Sequence, residues 1–217
     1  MNSFFVFLLK NNMKILYFLL FLSLISCKKK NASFVVKGII TDETFNKGLS
    51  GAEISIYKIL TGSTFETLIS TTTVASDGSY SFSFDRDKSE KYTIKFTKEN
   101  YFPIEKSISF SSLSTDNDNL RNYSTTAKSW VKLHFKNIDP NDSDELRYIK
   151  QDGKFGCVEC CGTTYQYLKG AADTSIYCIN DGNTTYSYLY AVLNSTNQAI
   201  KSVVTVPFDT TEIYLEY

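Results

Sequence analysis

The chain has 217 residues, with 23 basic and 23 acidic side chains, so its formal net charge is zero. A balanced chain lacks the basic stripe that a nucleic-acid partner needs, and no nucleic acid is expected. Aromatic residues make up 15 % of the chain while Pro numbers only 3, a composition that points to β-strands.

The first segment reads as an export signal, which combines a positive start, a short apolar run and small residues at the cut. Counted from Met1, Phe4, Phe5, Val6 and Phe7 precede any charge. Counted from Met13, Lys14 leads into the apolar run Ile15 to Ile25, with Ser26 before Cys27. Met13 is therefore the expected start, and residues 1–12 an upstream extension. The run is too short for a transmembrane helix, which needs about 20 residues. Leu24-Ile25-Ser26-Cys27 resembles the lipobox of bacterial lipoproteins. That resemblance implies a cleaved signal peptide over 1–26, a lipid on the Cys27 thiol, and the membrane as a partner through it. Loss of Lys10 and Lys14 then leaves 21 basic and 23 acidic side chains, a net charge of −2. Residues 27–32 form a tether, in which Lys28, Lys29 and Lys30 each contribute about 1 kcal/mol towards anionic lipid. The expected place is the cell envelope, at the outer membrane. Surface-exported lipoproteins of Bacteroidetes tend to carry acidic residues after this cysteine, so the basic flank favours the periplasm-facing side over surface display.

From Ser33 to Phe110, short alternating runs lie between turn signals. Phe34-Val35-Val36 leads into Gly38-Ile39-Ile40 and then a loop through Asn46-Lys47-Gly48. Ala52, Ile54 and Ile56 share one face, with Glu53, Ser55 and Tyr57 on the other. Ser76-Asp77-Gly78-Ser79 is a turn, since Asp hydrogen-bonds its own backbone and Gly takes a positive φ. Tyr80, Phe82 and Phe84 then alternate with serines, and Tyr92, Ile94 and Phe96 with Thr93, Lys95 and Thr97. A period of 2 with one polar face predicts half-buried antiparallel strands. Val36-x-Gly38-x-Ile40-x-Asp42, Gly51-Ala52-x-Ile54-x-Ile56-Tyr57, Ser76 to Phe82, and Tyr92-x-Ile94 with Asn100-Tyr101 together resemble the carboxypeptidase regulatory-like domain. The resemblance covers 33–110 and implies a transthyretin-like β-sandwich, an accessory module without catalytic residues. Asn100 stands where that family usually has Gly, and Asn tolerates the left-handed conformation.

Residues 111–126 are polar and acidic around Asp116 to Asn119 and read as a linker. The second block, 127–217, opens with Val131, Leu133 and Phe135 on one strand face and Trp130, Lys132 and His134 on the other. Further strands are expected at Thr163–Leu168, Ser175–Ile179, Thr184–Leu193, Ile200–Val206 and Thr211–Leu215, with Asp181-Gly182-Asn183 as a hairpin turn. The fold class is thus all-β: two small antiparallel β-sandwich domains after a cleaved lipoprotein signal peptide.

Cys157, Cys160, Cys161 and Cys178 are the strongest chemical signal. An exported chain meets an oxidising compartment, so disulfides are expected. Four cysteines allow three connectivities. Adjacent Cys160 and Cys161 diverge in a strand, so Cys178 should pair with one of them and Cys157 with the other. Zinc would require a second Cys-x-x-Cys knuckle, which is missing. A thioredoxin-like centre at Cys157-x-x-Cys160 would require a helix after it. Asp139 to Glu145 departs from the EF-hand pattern and reads as a solvated turn. His134, the single histidine, gives no support to a Ser-His-Asp enzyme. Tyr186, Tyr188 and Tyr190 share one strand face; they belong either to a core or to an exposed face that stacks on sugar rings or a partner. The expectation is a non-enzymatic envelope lipoprotein without cofactor or metal, a structural or interaction module for an unknown envelope protein or glycan. The alternatives are a glycan- or peptide-binding lipoprotein using that tyrosine face and, ranked last, a hydrolase or thiol oxidoreductase.

Overall fold

The computed structural model describes residues 32–217; the expected signal segment, Met13 and Cys27 lie outside them. Alternation along the chain becomes strands β1 (Ser33–Asp42), β2 (Lys47–Gly48), β3 (Glu53–Leu60), β4 (Glu66–Thr73), β5 (Ser79–Asp85), β6 (Ser89–Thr97), β7 (Ile104–Ser109), β8 (Asn119–Leu120) and β9 (Tyr123–Thr125). One sheet runs β2-β1-β5, with β8 and β9 pairing parallel to β1; the facing sheet runs β4-β3-β6-β7. Phe34, Val36 and Ile40 of β1 meet Ile54, Ile56, Tyr92, Ile94 and Phe96 between the sheets, all nearly or fully buried. Each such side chain contributes about 1.5–3 kcal/mol by leaving water.

The second half repeats this plan. Its strands are β10 (Lys128–Lys136), β11 (Glu145–Asp152), β12 (Gln166–Lys169), β13 (Asp173–Asp181), β14 (Thr185–Val192), β15 (Gln198–Val204) and β16 (Thr210–Glu216). They form the sheets β13-β10-β16 and β12-β11-β14-β15. Relative to β10, the partner β13 is antiparallel and the returning β16 parallel, as β5, β8 and β9 are relative to β1. Likewise β12-β11-β14-β15 matches β4-β3-β6-β7 strand for strand, with antiparallel neighbours throughout. One topology is therefore used twice, around two separate apolar cores.

Three sequence expectations need correction. Residues 111–126 are not a linker: they carry β8 and β9, which belong to the first sandwich. Asn119 fastens them, its amide donating to the carbonyls of Val35 (3.0 Å) and Ser114 (2.9 Å) while its oxygen accepts the Ser114 N–H (2.8 Å). The polar composition that reads as a solvated linker thus supplies buried hydrogen bonds. Asp181-Gly182-Asn183 is not a hairpin, because β13 and β14 lie in different sheets. This turn carries the chain across the sandwich, with Asn183 at φ 61° and Gly182 against Pro207. β4, β7 and β11 are strands beyond those the sequence leads one to expect; β4 is almost wholly exposed and so lacks an apolar alternation. Asn100 does take the left-handed conformation, with φ 61°.

The two sandwiches join without slack. β9 ends at Thr125 and β10 begins at Lys128. Of the two residues between, Thr126 accepts the Phe102 N–H through its carbonyl (3.2 Å). Ala127 donates its N–H to Thr44 Oγ1 (2.8 Å) and accepts the Gly182 N–H (2.8 Å). Phe208 packs on both Phe45 and Tyr101, with ring centroids 5.8 and 5.4 Å away. Beneath the joint, fully buried Asp42 accepts the Thr44 and Phe45 N–H groups and the Tyr101 hydroxyl (2.8 Å). Asp42→Ala strands all three donors and is expected to cost about 2–4 kcal/mol, more than Tyr101→Phe, because unpaired buried donors keep their full desolvation penalty. Urea unfolding of both variants checks the order; equal losses would contradict it.

Candidate functional site

Chemistry-bearing side chains gather in the loop after β11 and in the cleft beside it. Along β11, Leu146, Tyr148 and Lys150 point inwards and all three are buried. Lys150 crosses under the loop and donates from Nζ to the carbonyls of Lys154 and Cys160, the latter at 2.8 Å. The ammonium also lies over the rings of Phe155 (4.5 Å) and Tyr186 (5.2 Å). Burial pushes its pKa down, while the charges of Asp152 and Asp181 push it up. Gly153, at φ 123°, lets the loop pass: a Cβ there would sit 2.8 Å from the Tyr186 ring and 2.9 Å from Asn180 Oδ1.

The four cysteines form Cys157–Cys160 and Cys161–Cys178. Cys160 and Cys178 are fully buried, and Cys157 and Cys161 half-buried. The second bond ties the loop to β13, where the Tyr186 hydroxyl donates to Cys178 Sγ (3.3 Å). Of the alternatives left open by the sequence, Cys178 takes Cys161.

Beside this loop a cleft of about 560 Å³ lies between the sandwiches, lined by Phe102, Ile104, Lys154, Phe155, Cys157 and Asp181 among others. Lys154 spans it, paired with Asp181 (2.7 Å) and stacked over the Phe102 ring (3.9 Å). Asp181 also accepts the Thr126 hydroxyl. Sequence reasoning missed Lys150 and Lys154. A signal existed for Lys150, since Leu146-x-Tyr148-x-Lys150 places a lysine on an inward face two residues past a tyrosine.

The tyrosine face is corrected. Tyr186, Tyr188 and Tyr190 are 1 %, 0 % and 7 % exposed and belong to the second core, so they are not a binding platform. β14 is a central strand, and these three side chains face β10 across the sandwich, Tyr188 against Phe135 (5.6 Å). On the other sheet, outward-facing aromatics are Trp130, half-buried, with Tyr177 60 % and Tyr214 41 % exposed. His134 sits among them, bonded through Nε2 to Asp173 (2.8 Å) and through Nδ1 to Glu212 (3.0 Å). The carboxyl of Asp173 is held below its usual range chiefly by His134, and that of Glu212 chiefly by Lys132, then His134. In the 139–145 turn, the Asp144 carboxylate accepts from Asn137 Nδ2 and the Asn141 N–H, each at 2.9 Å. Among the described residues no helix is long and apolar enough to cross a membrane.

No protein-family model matches this chain, and no curated protein does. Among solved structures, the shaft pilin SpaA from Lactobacillus rhamnosus GG is 13 % identical over 86 % of this chain and 98 % of its own, with a TM-score of 0.35. A streptococcal ancillary pilin is 10 % identical over 87 % of this chain and 63 % of its own, at 0.36. Hydroxyquinol 1,2-dioxygenase from Pseudomonas putida is 8 % identical over 46 % and 58 %, at 0.33. Two are pilins and one is an enzyme, and likeness this distant assigns neither role.

The Tyr188 hydroxyl is buried and finds no hydrogen-bond partner. Tyr188→Phe is therefore expected to be neutral or stabilising by about 1 kcal/mol, whereas Tyr188→Ala should cost about 3–5 kcal/mol through its cavity. Denaturant midpoints of the two variants test this; a costly Tyr188→Phe would show that the hydroxyl is satisfied.

Proposed function

We propose that this protein is a non-enzymatic envelope lipoprotein, a short structural or interaction module made of two sandwiches that act as one body. The observation that carries the reading is the joint. Thr126 and Ala127 are both hydrogen-bonded within it, and Phe208 is shared across it. Such a joint suits presentation at a fixed geometry rather than domain closure over a substrate. Cys27, after an apolar run of signal-peptide length, supplies the lipid attachment in this reading, at the outer membrane, with its basic flank favouring the periplasm-facing side. The carboxypeptidase regulatory-like resemblance of 33–110 fits the same accessory role. Metabolic labelling with an acyl-chain analogue tests the anchor: label and membrane association should both vanish in Cys27→Ser. An unlabelled, membrane-free wild type would overturn it.

A second reading, glycan or peptide binding, moves to the outward face of β13-β10-β16. Tyr177 and Tyr214 offer exposed rings there and Trp130 a half-buried one, beside the carboxylates of Asp173 and Glu212. On a glycan and peptidoglycan array, Trp130→Ala combined with Tyr177→Ala should lower any binding at least tenfold with the fold retained. Binding unchanged in that double variant, or none by the wild type, would end this reading.

A further inference from the structure

The two disulfides are chemically unequal. Cys161–Cys178 spans 17 positions and reaches a fully buried sulfur in β13. Closing a loop of that size restrains the unfolded chain by about 3 kcal/mol, and a smaller loop restrains it less. Cys157–Cys160 spans only 3 positions. Its Cys157 lies in the surface loop between Phe155, 51 % exposed, and Val158, 99 % exposed, on the wall of the cleft. Both bonds join a half-buried cysteine to a fully buried one, so loop size and the cleft separate them; exchange runs faster when the leaving sulfur is stabilised as a thiolate.

The residue that carries the leaving sulfur has a cation bonded to its backbone. Lys150 is 6 % exposed, makes no salt bridge among the described residues, and holds the Cys160 carbonyl at 2.8 Å. A buried ammonium without a bonded counter-ion favours a negative charge arriving beside it. Position separates the two sulfurs further: Cys157 is reachable from the cleft, while Cys160 is fully buried next to the lysine.

We propose that Cys157–Cys160 is a thiol-exchange site for an exported dithiol protein. A partner thiolate attacks Cys157 Sγ, the Cys157–Cys160 bond breaks, and its electron pair leaves on Cys160 Sγ, on the residue whose carbonyl Lys150 holds; this thiolate then takes a proton from water. The partner's second thiol, having released its proton to water, attacks the partner sulfur of the mixed disulfide. Cys157 leaves as a thiolate and is protonated. The partner gains a disulfide, this chain holds a Cys157/Cys160 dithiol, and Cys161–Cys178 is untouched. The role goes beyond a passive module, since it gives the module a covalent, reversible contact.

Glutathione redox titration of the folded protein, followed by acid quench, alkylation and peptide mapping, tests the site. Cys157 and Cys160 should be alkylated together while Cys161–Cys178 stays oxidised and the far-ultraviolet spectrum stays native. Opening of both disulfides together, or only on unfolding, overturns the proposal. Lys150→Met should slow the opening of Cys157–Cys160 roughly five- to tenfold, with Lys150→Arg closer to wild type. A lysine that only props the loop would give the opposite sign, a faster opening. In cells, the free Cys157 thiolate of Cys160→Ser should attack the disulfide of the oxidised partner, the reverse of the exchange, and, with no Cys160 to resolve it, should trap a mixed disulfide that a reductant releases; Cys157→Ser should trap none. A folded, exported Cys160→Ser protein with no trapped species also overturns it.

Discussion

Everything downstream depends on how each sandwich is closed. The last strand of each half returns to pair in parallel with the first, β8 and β9 with β1, and β16 with β10. A parallel return needs a long connection, because a tight hairpin makes only antiparallel neighbours. In the first half that connection is the polar stretch before β8, held in place by Asn119. Since β9 runs almost directly into β10, closing the first sandwich also sets the position of the second. The cleft, with Lys154 between Phe102 of one half and Asp181 of the other, follows from that single constraint.

The strands with one apolar face were legible in the sequence. Val131, Leu133 and Phe135 alternate with polar neighbours on β10, and the structure buries the first set and half-exposes the second. What was hidden is the pairing. Asp181-Gly182-Asn183 has the residue chemistry of a hairpin turn, yet here it carries the chain between sheets, and only the global pairing decides between the two. Residues 111–126 misled for a related reason: asparagine and aspartate mark loops by satisfying backbone groups, and Asn119 does so inside the fold. The repeated topology left no trace either, since a sandwich core constrains alternation rather than particular side chains.

The site was legible in part. Four cysteines behind an expected export signal imply disulfides, and the divergence of Cys160 and Cys161 narrowed the pairing. The tyrosines of β14 shared a face as expected, but period 2 does not say whether that face meets solvent or a second sheet. Lys150 is the residue whose meaning changes most. A lysine in the middle of a sandwich is costly unless something meets its charge, and here backbone carbonyls and two aromatic rings do so beneath the cysteine loop.

The parallel pairing of β1 with β9 has a mechanical consequence. The chain enters the first sandwich at Ser33 and leaves it at Thr125. Tension between an N-terminal attachment and a load on the second sandwich pulls the start of β1 one way and the end of β9 the other. With strands side by side in the same direction, that force slides one along the other and loads their shared hydrogen bonds together, rather than peeling them singly from one end. The same force is spread over the longer β1–β5 ladder, from Ser33↔Asp85 to Ile39↔Ser79. Were this chain held on the N-terminal side of β1 and loaded through the second sandwich, the topology would strain it in shear.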